Sequence, residues 1–186
     1  MNSAIVVGSI ADIAEKTGTS IAESFLSCDA LVIVDTSGSM AANDSRGRKS
    51  RYEVALEELA KLQASMPGKV AVVAFSDSVE FVPGGVPMLM GGGTDLAGAL
   101  RFARLADGAG MRFVVVSDGI ADDPDAAIYE TGLFEAPISS VYVGPENDRD
   151  GGRAFLQRLA RESGGSSATA LLTVGLAEVT LKLLSR

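Results

Sequence analysis

The chain has 186 residues, 47% of them hydrophobic and 22% charged, which is enough for one globular domain with a real core. Its formal net charge of -8 argues against a broad nucleic-acid footprint, which needs a basic face, and against an anionic membrane surface. Histidine is absent and cysteine occurs once, at Cys28, so intramolecular disulfides, imidazole ligands and imidazole proton shuttles are all excluded.

Residues 1–28 read as an N-terminal helical extension and residues 29–186 as a single domain. In the extension, "SIADIAEKTGTSIAESF" has a helix, a turn at Gly18 and a second helix, the outline of the first two helices of a DNA-binding helix-turn-helix. Its second helix would offer Ser20, Glu23 and Ser24 to a groove, with no arginine or lysine, and Glu23 would be repelled by phosphate. The extension is therefore expected to pack on the domain or dock a partner. The start of the chain lacks a basic stretch ahead of its apolar residues, so no secretory signal is expected. The apolar runs fall short of the ~20 residues that a spanning helix needs. With Cys28 read as a small buried hydrophobe, a cytoplasmic setting is expected.

"ALVIVD" (30–35) is apolar on both faces, as a central parallel strand should be. Residues 50–66 place Val54, Leu56, Leu59 and Leu62 at near-helical spacing, and Pro67-Gly68 ends the helix. "KVAVVAF" (69–75) is a second buried strand. "SVEFVP" (78–83) alternates and closes on proline, which marks an edge strand. "GGGTD" (91–95) opens a helix over 96–106, with Asp95 placed to cap it or to serve as an acceptor behind a site. "RFVVVSD" (112–118) is a third buried strand. Residues 122–134 form a helix with Asp122 or Asp123 as cap and Pro124 in its first turn. A strand over 138–143, a helix over 151–163 and a helix around 173–184 complete the pattern. This alternation predicts an α/β fold: a mostly parallel sheet, one antiparallel edge strand, and helices on both faces.

Ligands of an open parallel sheet collect at the carboxyl ends of its strands. Three oxygen-rich loops fall there: "DTSGSM" (35–40), "GGGTD" and "SDG" (117–119). They offer Asp35, Ser37, Ser39, Thr94 and Asp118. Hard oxygen donors alone suit a divalent cation, Mg²⁺ first with Mn²⁺ or Ca²⁺ possible, rather than zinc or copper. Gly38 is expected to permit the sharp turn that aims positions 35, 37 and 39 at one point. Taken alone, "DTSGS" reads equally as a tight turn. The glycines before Thr94 lack the lysine of a P-loop and are read as allowing close approach of the loop.

"DTSGS" resembles the D-x-S-x-S motif of the metal-ion-dependent adhesion site in von Willebrand factor type A domains. "GGGTDL" resembles the family's threonine-bearing element and "VVVSDG" its aspartate-bearing element. The resemblance covers roughly residues 29–165 and implies a Rossmann-like fold. It also implies direct metal contact by Ser37 and Ser39, and contact by Thr94 directly or through water. Asp35 and Asp118 would act mostly through waters and by orienting the hydroxyls. It implies binding rather than catalysis: a protein partner presents Asp or Glu to the cation, in an ATPase-associated or other intracellular assembly.

Two further readings follow from the same residues. An aspartate after the first strand, with a later threonine and aspartate, resembles Mg²⁺-dependent phosphohydrolases of the haloacid dehalogenase type, with Asp35 as nucleophile; the second acid those enzymes need falls on Ser37. The loop "NDSRGRKSR" (43–51) gathers Arg46, Arg48, Lys49 and Arg51 beside the motif, as a basic collar for an acidic partner or as a solvated loop.

Overall fold

The structure, a computed structural model, describes residues 5–169. The helix expected around 173–184 lies outside the described residues.

Six strands form one sheet in the order β3-β2-β1-β4-β5-β6: β1 (Ala30–Asp35), β2 (Val70–Phe75), β3 (Val79–Phe81), β4 (Arg112–Ser117), β5 (Ile138–Tyr142) and β6 (Ser167–Thr169). Every pairing is parallel except β2 with β3, the expected antiparallel edge. Strand β6 has no counterpart in the sequence reading. It is three residues long, carries no large apolar side chain, and joins the edge beside Ser140–Tyr142.

The period-2 alternation of β1 divides the core. Leu31 and Ile33 face one side, with Phe113, Val115, Leu100 and Leu156. Val32 and Val34 face the other, with Val114, Val116, Leu59 and Leu62. Helices α4 (Leu96–Ala103), α5 (Pro124–Thr131) and α6 (Gly152–Glu162) cover the first face, and α3 (Arg51–Ser65) covers the second. Helices α3, α4 and α5 each start where the sequence supplies a side-chain cap, and α6 starts at Gly151 without one. Ser50 and Glu53 form a capping box on α3, Asp95 accepts from Gly98 N on α4, and Asp123 accepts from Ala126 N on α5.

The N-terminal helices α1 (Ile10–Thr17) and α2 (Ile21–Leu26) pack onto this body. Ile10 is 1% exposed, and Phe25 meets Phe81 edge to face at 5.5 Å between centroids. Backbone bonds from Val6 N to Gly84 O, Ala11 N to Pro83 O and Gly68 N to Gly8 O stitch the segment down. Gly8 sits at φ +86, and a Cβ there would stand 2.3 Å from Gln63 O, so only glycine permits the approach. Ser20 and Glu23, the residues a recognition helix would present, are consumed in the capping box of α2, and Ser24 is buried. No helix among the described residues is long and apolar enough to cross a membrane.

Cys28 is buried behind this segment, and desolvation pushes its thiol up to about 11, against 9.0 for a free thiol. The unfolded thiol ionises first, so this group's contribution to stability is lost as pH rises from about 9 to about 11. At pH 8.5 the native thiolate is expected to be about 100-fold scarcer than in the unfolded chain. Iodoacetamide should therefore label native Cys28 far more slowly than the guanidinium-unfolded protein; equal rates would mean that the thiol is not buried.

Candidate metal centre

Strand β1 ends in a carboxylate with no exposed surface. Asp35 Oδ1 accepts from Ser37 N at 2.9 Å, closing a turn, and Oδ2 accepts from Ser117 Oγ of β4 at 2.6 Å. Desolvation, with a smaller contribution from the nearby Asp118 charge, outweighs these bonds and pushes the Asp35 carboxyl up to about 6. Burial thus outweighs the protein's own hydrogen bonds to this acid.

After Asp35, Thr36 ties the chain to β2 through two bonds to Phe75 O, from its N and its Oγ1, both 2.8 Å. Residues Gly38–Ala41 make a 3-10 turn, anchored by the fully buried Met40. The hydroxyls of Ser37 and Ser39 come within 3.2 Å of each other. Gly38 is not in the left-handed region, so the turn itself does not need glycine. Its role is proximity: Gly38 N donates to Gly92 O, and a Cβ at position 38 would crowd that oxygen at 3.3 Å.

The Thr94 loop is brought onto the same point from the β2 side. Met90 N and Gly91 N donate to Thr36 O, and Asp95 N donates to Ser76 O. Gly91 and Gly92 adopt φ +74 and +78, which explains two of the three glycines. Gly93 N donates to Asp77 Oδ1 at 2.9 Å and Thr94 N to Asp122 Oδ2 at 2.7 Å. Thr94 is 6% exposed, and its hydroxyl has no partner among the described residues. Asp95 caps α4 rather than serving the site.

From β4, Ser117 Oγ accepts from Gly119 N while donating to Asp35. Asp118 is buried, with Oδ1 accepting from Ile120 N at 3.1 Å. Its Oδ2 accepts from Arg51 Nη1 at 2.6 Å. Arg51 is itself buried and makes a two-point bond to Asp44, Nε to Oδ1 at 2.8 Å and Nη2 to Oδ2 at 2.7 Å. Asp44, then Asp118, raise its pKa further, so Arg51 is a permanent cation behind the site.

Both readings of the basic run, solvated loop and basic collar, are therefore corrected. Arg51 is buried and committed to Asp118 and Asp44. Arg46 bonds the buried Glu58 at 2.7 Å, and Lys49 pairs with Glu57. Of the four, only Arg48, exposed and at φ +62, has no ion pair among the described residues. The run is mostly an ion-pair network, and two of its partners, Glu57 and Glu58, lie about two helical turns into α3.

All five residues singled out from the sequence thus stand on three hydrogen-bonded loops at the carboxyl end of the sheet. No three His, Cys, Asp or Glu side chains gather into a metal-binding group among the described residues, so an ion here would depend on the hydroxyls. Asp35, buried with both oxygens engaged, is placed to organise the loop and poorly placed to attack a phosphoryl group.

No protein-family model and no curated protein sequence matches the chain. Solved structures match its fold. An aerotolerance-related membrane protein from Bacteroides fragilis NCTC 9343 is 20% identical with TM-score 0.63, over 85% of this chain and 96% of that one. BatB from Bacteroides thetaiotaomicron is 16% identical with TM-score 0.63, over 85% and 97%. A von Willebrand factor type A protein from Catenulispora acidiphila is 19% identical with TM-score 0.59, over 84% of this chain and 41% of that one. The fold is that of von Willebrand factor type A domains.

Truncating Arg51 should be costly. In chelator, Arg51→Ala leaves the buried Asp118 without its cation and is expected to lower stability by about 3–5 kcal/mol, with Arg51→Lys retaining part of it. Urea melts in EDTA measure this; wild-type stability in Arg51→Ala would mean that Asp118 is already solvated.

Proposed function

We propose that this chain is a metal-dependent protein-binding module, in which a divalent cation held by Asp35, Ser37, Ser39, Thr94 and Asp118 grips an acidic residue of a partner protein. The observation that carries the reading is the pairing of an undercompensated buried carboxylate, Asp35, with two facing serine hydroxyls 3.2 Å apart and a partnerless threonine hydroxyl. A cation relieves the first and satisfies the others.

The donor set suits Mg²⁺, with Mn²⁺ as a close substitute. Ser37 and Ser39 supply neutral oxygens, and Thr94 supplies a third directly or through water. Asp35 and Asp118 are held by Ser117 and Arg51, so their part is to orient the hydroxyls and carry charge through waters. A bound cation supplies Lewis acidity for an external carboxylate, because neutral groups make its direct contacts. The Arg51 cation behind Asp118 offsets part of the site's negative charge and so favours an anionic ligand.

Among the fold neighbours, one is an aerotolerance-related membrane protein and another is a minor pilin from Streptococcus sanguinis, 13% identical with TM-score 0.61. Domains of this fold therefore occur in a membrane protein and in a pilin, in keeping with an adhesive role.

Mg²⁺ at about 100 times its Kd should stabilise the protein by about 2.7 kcal/mol, raising Tm by several degrees over EDTA. Ser37→Ala should abolish that shift while leaving Tm in EDTA nearly unchanged. Proteins captured from native lysate with Mg²⁺ should be released by chelator and missed by Ser37→Ala. Metal-independent Tm together with chelator-resistant capture would overturn the reading.

A further inference from the structure

Thr94 and Asp122 hold each other through two hydrogen bonds. Thr94 N donates to Asp122 Oδ2 at 2.7 Å, and Asp122 N donates to Thr94 O at 3.1 Å. Asp122 lies four residues after Asp118 in the same loop, so this ring fastens the threonine loop to the aspartate loop. From the other side, Asp77 Oδ1 accepts from Gly93 N at 2.9 Å. Gly93 is thus clamped between two carboxylates. A Cβ there would stand 2.6 Å from Asp122 Oδ2 and 2.6 Å from Asp77 Oδ1, which accounts for the third glycine of the run.

Among the described residues, Asp122 is the one side chain hydrogen-bonded to Thr94. The Thr94 hydroxyl has no protein partner among the described residues, so its direction is set by its backbone, whose amide donates to Asp122 and whose carbonyl accepts from Asp122 N and, at 2.9 Å, from Leu96 N of the helix start. Asp122 itself is exposed and caps no helix; the cap of α5 is Asp123. Its one evident task is the pairing with Thr94.

We propose that Asp122 is a positioning residue for the cation site: it presents the Thr94 hydroxyl to the ion and makes the threonine and aspartate loops move as one body. This rests on the metal-binding reading above. The role belongs to the acceptor oxygen and not to the negative charge, because the atom bonded is a backbone N–H. An asparagine can replace that oxygen, and an alanine cannot.

The test is Mg²⁺ titration calorimetry on wild type, Asp122→Ala, Asp122→Asn, Thr94→Ala and the Thr94→Ala/Asp122→Ala double variant, with each Tm in EDTA as a folding control. Asp122→Ala should weaken Mg²⁺ binding about tenfold, as loss of a residue that orients a ligand commonly does. Asp122→Asn should stay within about twofold of wild type. In the Thr94→Ala background, Asp122→Ala should cause no further loss. Wild-type affinity in Asp122→Ala overturns the proposal. So does an Asp122→Asn loss as large as that of alanine, which would make the charge the active element, or an undiminished effect in the Thr94→Ala background. If wild type itself binds no Mg²⁺, the metal reading fails and this inference falls with it; failure confined to the variants counts against Asp122 alone.

Discussion

The structure around the site depends on one electrostatic constraint: a carboxylate, Asp35, terminates the central strand of a sheet buried on both faces. A charge in that position costs free energy unless polar groups meet it. The fold answers from both flanks, with Ser37 N from the following turn and Ser117 Oγ from the neighbouring strand β4. The answer is partial, because burial still raises the acid to about 6. Much of the local architecture follows from that unfinished compensation. Ser117 must end β4, the chain must turn back at Ser37, and the next acid, Asp118, needs its own cation. Arg51 provides it from the first turn of α3.

The topology makes this possible. Between β1 and β4 the chain connections diverge, one to each side, and this leaves a crevice where loops from three strands meet. The loops are not left to side chains alone. Thr36 O takes two amide protons from the glycine run, Gly92 O takes Gly38 N, and Asp122 takes Thr94 N. The hydroxyls are therefore carried on a backbone network with few free torsions.

Long apolar strands and amphipathic helices were legible because their periodicity survives averaging over many residues. Five of the six strands and the capped helices among the described residues follow from it. Strand β6 was not, because Ser167–Thr169 forms a strand by pairing with β5 and carries no hydrophobic pattern of its own. The five candidate residues could be singled out because each sits where a strand or a glycine loop gives way to polar residues, and the structure places them on three adjoining loops. Arg51 was misjudged because a run of basic residues looks like a solvated loop. The available signal was its position directly after the Ser50 cap: a residue in the first turn of α3 points back toward the helix N-terminus, the same end at which β1 and β4 terminate. Gly38 shows a different gap. Sequence says that a glycine is needed, but whether for φ or for proximity depends on a contact with Gly92, more than fifty residues away.

The opposing roles of charge and neutrality at the site explain its composition. Carboxylates touching an ion directly would hold it tightly and quench its attraction for another acid. Here the two buried acids are already engaged, Asp35 by Ser117 and Ser37, Asp118 by Arg51 and Ile120, and the groups left with spare lone pairs are hydroxyls. Neutral donors leave more of a cation's charge available to an incoming anion. Under the proposed metal-binding reading, the acids stand close enough to favour a cation and are already occupied, which leaves the hydroxyls to meet it.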